Sequence, residues 1–147
     1  MLLILTNDDG IEAPGLAALT ASVAAMGQPL VVAPAEPQSG IGHRVTVRSA
    51  LTLYQENSDR YRVEGTPADC ARVALKLVAP NADWLIAGIN PGANLGSDIY
   101  NSGTVAAARE AAILGYRAIA VSQYIAPDVT VDWPKPPPGG SVWSTPS

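Results

Sequence analysis

Leu2-Leu3-Ile4-Leu5-Thr6-Asn7-Asp8-Asp9-Gly10 is an apolar run that stops abruptly at an amide, two adjacent carboxylates and a glycine. The run suits a buried central strand, and Gly10 lets the backbone leave the β region by a route that other residues resist. Successive side chains on a strand point to opposite faces. Asp8 and Asp9 can therefore serve one site only if the chain has already turned at Asn7 or Asp8. Two carboxylates held ~4 Å apart at an effective dielectric of ~20 repel by about 4 kcal/mol, a cost that a divalent cation reverses. Taken alone, Asn-Asp-Asp-Gly is also ordinary turn chemistry, so a metal site and a plain acidic turn both fit these four residues.

Outward from this stretch the chain alternates strand and helix. Leu16, Leu19, Val23 and Met26 recur at helical spacing after Pro14-Gly15, with Gly27 as a stop. Leu30-Val31-Val32-Ala33 reads as a short buried strand, and Ala35 to His43, rich in Pro, Ser and Gly, as a loop. Arg44 to Leu53 alternates apolar and polar residues, which predicts a half-exposed strand or hairpin continued by Tyr61-Arg62-Val63. Thr66-Pro67-Ala68-Asp69 carries the parts of a helix start: hydroxyl cap, proline at the first position, acid at the third. Cys70, Val73, Ala74 and Leu77 form the expected apolar face of that helix, with Asp69, Arg72 and Lys76 on its polar face. Asp83 to Ala87 is the next buried strand. It leads into a glycine-rich loop over Gly88 to Asp98, a helix from Ser102-Gly103-Thr104 to Leu114, and a strand over Ala118 to Ser122.

This order predicts an α/β fold: a Rossmann-like three-layer sandwich with a mostly parallel sheet covered on both faces. In such sheets ligands bind beyond the carboxyl ends of the strands, which puts Asn7 to Gly10, Gln38 to Gly42 and Gly88 to Gly96 on one rim. The α/β domain is expected over residues 1–125. Residues 126–147 carry six of the thirteen prolines, including Pro136-Pro137-Pro138 before Gly139-Gly140, and show no helical or strand period. They read as an irregular tail, and a reading frame shifted near Trp133 would produce such a run.

A length of 147 residues, 48% of them hydrophobic and 15% charged, suits one ordinary core. A net charge of −4 disfavours a nucleic-acid polymer or an anionic membrane as partner. The N-terminal apolar run is too short for a signal peptide and lacks its basic flank, so the expected location is the cytoplasm. Cys70, the single cysteine, excludes an internal disulfide and a Cys-based zinc site, and its helical position reads as an inert core thiol.

The predicted rim offers Asp8, Asp9, the Ser39 hydroxyl and the amide oxygens of Asn90 or Asn94, all hard oxygen donors that favour Mg²⁺, Mn²⁺ or Ca²⁺ over zinc or copper. Ser102-Gly103-Thr104 adds a helix start whose free N–H groups suit a phosphate, or equally serve as a plain N-cap. Neither a P-loop nor a dinucleotide fingerprint is present. Receiver domains also carry an acidic pair after the first strand but need a lysine after the fifth, and Ala118 to Tyr124 has none.

Five motifs in one order over residues 1–124 carry a family resemblance: Asn7-Asp8-Asp9-Gly10-x-x-Ala13-Pro14-Gly15; Ser39-Gly40; Gly65-Thr66-Pro67-x-Asp69-Cys70; Gly88-Ile89-Asn90-x-Gly92-x-Asn94-x-Gly96; and Ser102-Gly103-Thr104-Val105-Ala106-Ala107-Ala108. The set resembles the SurE family, the survival protein E nucleotidases. The resemblance implies a phosphomonoesterase that uses one divalent cation and acts on nucleoside 5′- and 3′-monophosphates. It implies Asp8, Asp9, Ser39 and Asn90 as metal ligands, Asp8 and Asp9 as the catalytic pair, and Asn7, Asn94, Ser102, Gly103 and Thr104 near the phosphate. It also implies a homodimer or homotetramer and a C-terminal part of the fold that this chain lacks. Attack by metal-activated water is the expected route, with an aspartate nucleophile as the other. A nucleotide- or metal-binding module without turnover, and an inactive fragment, are the rival readings. His43, the only histidine, falls in the Ser39 loop, where it reads as a group near the site or as an ordinary surface or packing residue.

Overall fold

The computed structural model describes residues 1–133. Six strands form one sheet, β1 (Leu2–Thr6), β2 (Gln28–Pro34), β3 (Thr52–Asn57), β4 (Arg60–Glu64), β5 (Trp84–Pro91) and β6 (Arg117–Gln123), in the order β3-β4-β2-β1-β5-β6. Every pairing is parallel except β3 with β4, an antiparallel hairpin at the edge. The helices are α1 (Pro14–Val23), α2 (Pro67–Val73), the single turn α3 (Asp98–Asn101) and α4 (Gly103–Ile113).

Side-chain alternation on β1 divides the core in two. Leu3 and Leu5 pack with Leu16, Leu19 and Val23 of α1, whereas Ile4 packs with Cys70, Ala71 and Val73 of α2 and Ala107, Ala108 and Ala111 of α4. One helix therefore covers one face of the sheet and two cover the other, the three-layer α/β arrangement expected from the sequence. Small residues on the buried face of α4 leave room for α2 beside it. Chain order reverses at β1: β2 lies on one side of it and β5 on the other. The carboxyl end of β1 is thus the topological switch point, where this sheet opens a crevice for a ligand.

Five local expectations are corrected. Residues 44–51 form no strand, despite the alternation of Val45 and Val47, because their backbone is held by the α2 start instead of by a neighbouring strand. Helix α1 ends at Val23, leaving Met26 58% exposed. Beyond Val73, α2 widens into a π-helical turn (Ala74–Val78), closed by Ala79 N–H to Ala74 O at 2.8 Å. The wider turn shifts the helical phase, so Leu75 enters the core and Leu77 faces outward, 73% exposed. Asp69, expected on a polar face, is fully buried. Strand β5 also runs through Gly88 to Pro91, where a loop was expected, and Asn90 pairs with Ser122 of β6 after an irregularity. The Gly88–Ile89 peptide is cis.

Residues 126–133 contain a turn closed by Val129 N–H to Ala126 O and no helix or strand. The expectations for 134–147 lie outside the described residues. No helix among the described residues is long and apolar enough to cross a membrane.

Candidate active site at the end of β1

Thr6, Asn7 and Asp8 continue β1 as buried polar residues, and the chain turns at once. The Asn7 side chain shapes that turn, its Nδ2 donating to Gly10 O at 2.8 Å. Gly10, at φ +99°, and Ile11 N–H donating to Pro34 O at 2.8 Å then carry the backbone across the end of β2. The turn makes it geometrically feasible for both aspartates to serve one region, as the strand alone would not allow.

Asp8 is held on two sides. Its Oδ1 accepts from Thr104 Oγ1 at 2.6 Å, and its backbone O accepts from Gln38 N–H at 2.7 Å, which brings the residue before Ser39 against it. Gly103 permits the close approach of α4: a Cβ there would lie 2.7 Å from Asp8 Cβ and 3.1 Å from its Oδ2. Glycine is similarly needed at the start of α1, where a Cβ on Gly15 would lie 2.1 Å from Ile89 O. The first helical residues of α1 and α4 thus press against the ends of β5 and β1.

Ser102 caps α4, its Oγ accepting from Val105 N–H at 3.1 Å. The N–H groups of Gly103 and Thr104 precede the first intrahelical bonds and are left over for a ligand. The Thr104 hydroxyl donates to Asp8, so its backbone N–H is the donor that remains for an anion.

Asp9 is the electrostatically unusual member. Its Oδ2 is buried with no hydrogen-bond partner, as is Asn7 Oδ1. Burial and then the neighbouring Asp8 charge raise the Asp9 pKa from 3.8 to about 6. A buried, donorless carboxylate oxygen beside a second carboxylate is a place where a cation fits. The two adjacent carboxylates offer hard oxygen donors of the kind a divalent ion takes. At the neighbouring strand end, Asn90 Nδ2 donates to Gly92 O at 2.8 Å, leaving its carbonyl oxygen as the end available for a cation. Asn94 Nδ2 donates to Ser122 Oγ at 2.6 Å, which ties it to β6. Ser39 lies exposed on its loop.

That loop is anchored by residues whose roles the sequence did not disclose. Asp69 accepts from Thr46 N–H at 2.8 Å, Thr46 Oγ1 at 2.7 Å and Thr66 N–H at 3.0 Å. Burial would raise its pKa, but these hydrogen bonds outweigh burial and hold it below the ordinary carboxylate range. His43 Nε2 meets Glu110 Oε2 of α4 at 2.7 Å, and Gly42 N–H donates to Asn101 O at 3.1 Å. The Thr-x-x-Asp spacing disclosed the helix cap; nothing in it signalled that the same carboxylate would clamp Thr46, 23 residues earlier. Cys70 is buried, and burial pushes its thiol pKa up, which leaves it inert.

The sequence profile of the family described as Survival protein SurE matches residues 3–135. A relative from Synechocystis is 51% identical over 133 residues, 90% of this chain and 58% of that protein. The 5′-nucleotidase SurE of Syntrophotalea carbinolica is 47% identical over 123 residues, 83% of this chain and 49% of its own length. The crystal structure of the SurE protein from Aquifex aeolicus superposes with a TM-score of 0.82 at 39% identity, covering 88% of this chain and 53% of that one. The chain thus spans about half the length of the curated relatives it matches. With the profile spanning most of its length and the same α/β fold in a solved relative, the chain belongs to the SurE family.

Proposed function

We propose that this chain carries the site of a metal-dependent phosphomonoesterase that hydrolyses nucleoside 5′-monophosphates, and also 3′-monophosphates, to nucleoside and phosphate. The observation that carries the reading is the buried Asp9 Oδ2 without a donor, beside Asp8, with the start of α4 held against Asp8 through Gly103. The names of the relatives, 5′-nucleotidase SurE at 46% and 47% identity, support the substrate class.

Asp8, Asp9, Ser39 and Asn90 would hold one Mg²⁺ or Mn²⁺ ion. When bound, that ion supplies Lewis acidity, acidifying water and offsetting charge on the phosphoryl oxygens. The protein's own groups position the substrate. The N–H groups of Gly103 and Thr104 donate to phosphoryl oxygens, where hydrogen bonds strengthen as charge spreads in the transition state. The Ser102 hydroxyl accepts from Val105 N–H yet keeps its own proton to donate to the phosphate. Thr104 Oγ1 fixes the orientation of Asp8 by donating to Oδ1. Asn7 holds the turn through Gly10, and Asn94 approaches the phosphate from the β6 side. A homodimer or homotetramer belongs to the same reading and is measured by size-exclusion chromatography with light scattering.

The test is phosphate release from AMP and GMP with Mn²⁺, Mg²⁺ or chelator. Wild type should turn over only with metal. Asp8→Asn should abolish turnover while leaving the metal-free melting temperature close to wild type, because the amide oxygen still accepts from Thr104. Soluble, folded wild type that releases no phosphate with either metal overturns the assignment.

A further inference from the structure

A groove of about 490 Å³ runs from Asp9, past Ile11, Glu36 and Pro37, to Glu56 and Arg62 on the β3-β4 hairpin. Its volume lies in the range of ordinary small-molecule sites. A second cavity of about 510 Å³ continues it, with Glu36 and Arg62 lining both. One end of this space is therefore a candidate catalytic carboxylate, and the middle is a cation.

The two arginines of the hairpin are used differently. Arg60 is engaged through Nε and Nη2: it meets Glu12 and Glu56 at 2.8 Å each and donates to Ile11 O at 3.1 Å. Arg62 has only a 3.9 Å approach to Glu56, and its Nε is buried without a hydrogen-bond partner. Its guanidinium lies 4.6 Å from the centroid of the Tyr54 ring, its cross-strand partner in the hairpin. Tyr54 holds the planar cation in one orientation while leaving its donors unused. A flat cation of this kind accepts a nucleobase by stacking on the face away from Tyr54. Glu36 and Glu56 disfavour a second anion in the groove but accept from hydroxyl or amino groups. A neutral nucleoside has both.

We infer that the groove from Asp9 to Arg62 is the leaving-group subsite, with the base of the nucleotide stacked on an Arg62 guanidinium backed by Tyr54. The inference rests on the phosphomonoesterase reading above, and the experiment separates the two. Calorimetric titration of the full chain with AMP and with inorganic phosphate, each with Mn²⁺, is compared for wild type, Arg62→Ala, Tyr54→Ala and Tyr54→Phe. Phenyl phosphate turnover by wild type is measured alongside. The AMP-to-phosphate affinity ratio should fall about tenfold in Arg62→Ala and Tyr54→Ala, the scale of one lost base stack. It should stay within about twofold of wild type in Tyr54→Phe, which keeps the ring. If wild type binds phosphate and cleaves phenyl phosphate but the ratio is unchanged in both alanine variants, the subsite is overturned alone. If wild type neither binds phosphate nor cleaves phenyl phosphate, the parent reading falls and the subsite with it.

Discussion

Thr104 Oγ1 donates to Asp8 Oδ1 at 2.6 Å across 96 residues of chain, joining the start of α4 to the end of β1. Both residues are buried, so little water competes for the bond. Thr104→Val keeps the shape and removes the donor. A hydrogen bond to a charged group is worth about 1.5–3 kcal/mol, and loss of that order is expected in urea unfolding at pH 7. Turnover should fall at least tenfold, because Asp8 loses the contact that fixes its rotamer, and Thr104→Ser should recover most of both losses. Equal turnover in Thr104→Val and wild type would show that the bond does not orient Asp8.

Gly103 sets how closely that helix start approaches. A Cβ 2.7 Å from Asp8 Cβ and 3.0 Å from Pro67 Cγ cannot be accommodated without moving α4 or Asp8. Gly103→Ala should therefore cost about 1–3 kcal/mol by overpacking, although alanine is the better helix former. The same displacement should weaken inorganic phosphate binding in calorimetry, since the N–H groups of residues 103 and 104 move with the helix. A Gly103→Ala protein as stable as wild type would refute the close contact.

The parts of this fold that could be read from the sequence are those whose signal is local. The change from Leu5 to Asp9 marked the end of β1, and strand-helix alternation implied a parallel sheet with a crevice at that end. The Thr66 cap and the Ser102 helix start followed from short-range patterns. What could not be read depends on partners distant in sequence. Val45 and Val47 alternate as in a strand, yet Thr46 answers to Asp69. Leu77 has the spacing of a core residue, but the π-helical turn gives that place to Leu75. Gly88 to Pro91 has loop composition, and only β6 alongside it makes the segment a strand. The Thr104 motif indicated a helix start near a phosphate; its hydroxyl bond to Asp8 required the tertiary structure. The Arg62–Tyr54 pair is likewise a property of hairpin register.

Asp9 makes the metal-free protein sensitive to pH. Its folded-state pKa, about 6, lies above the ordinary 3.8, so between these values the folded state binds more protons than the unfolded state. Unfolding free energy then falls as pH rises through this window, and the ionised carboxylate disfavours folding above it. With chelator present, this group should lower the wild-type melting temperature at pH 8 relative to pH 5.5. Asp9→Asn should remove that part of the drop and be the more stable protein at pH 8. Added Mn²⁺ should stabilise wild type at pH 8 much more than at pH 5.5, because the ion competes with the proton for the same oxygens. The comparison is made by differential scanning calorimetry. A melting-temperature difference between Asp9→Asn and wild type that does not change with pH would sink the assignment.

Asp69 should behave with the opposite sign. Its carboxylate receives the Thr46 and Thr66 donors in a fully buried position, and its folded-state pKa lies below 3.8. Its contribution is present above the ordinary carboxylate value and is lost as pH falls through the depressed folded value. Asp69→Asn sets an amide N–H₂ against groups that are themselves donors, so at pH 7 the variant should lose roughly 2–3 kcal/mol. The gap to wild type should narrow below pH 3.8, where the unfolded-state carboxyl of the wild type takes up its proton. Because the same carboxylate clamps Thr46, the Ser39 loop should loosen as well, giving faster amide exchange at residues 38–46 in Asp69→Asn than in wild type. If those amides exchange as in wild type while stability falls, Asp69 is a helix cap only and the loop is held by the His43–Glu110 contact and the Gly42 hydrogen bond to Asn101.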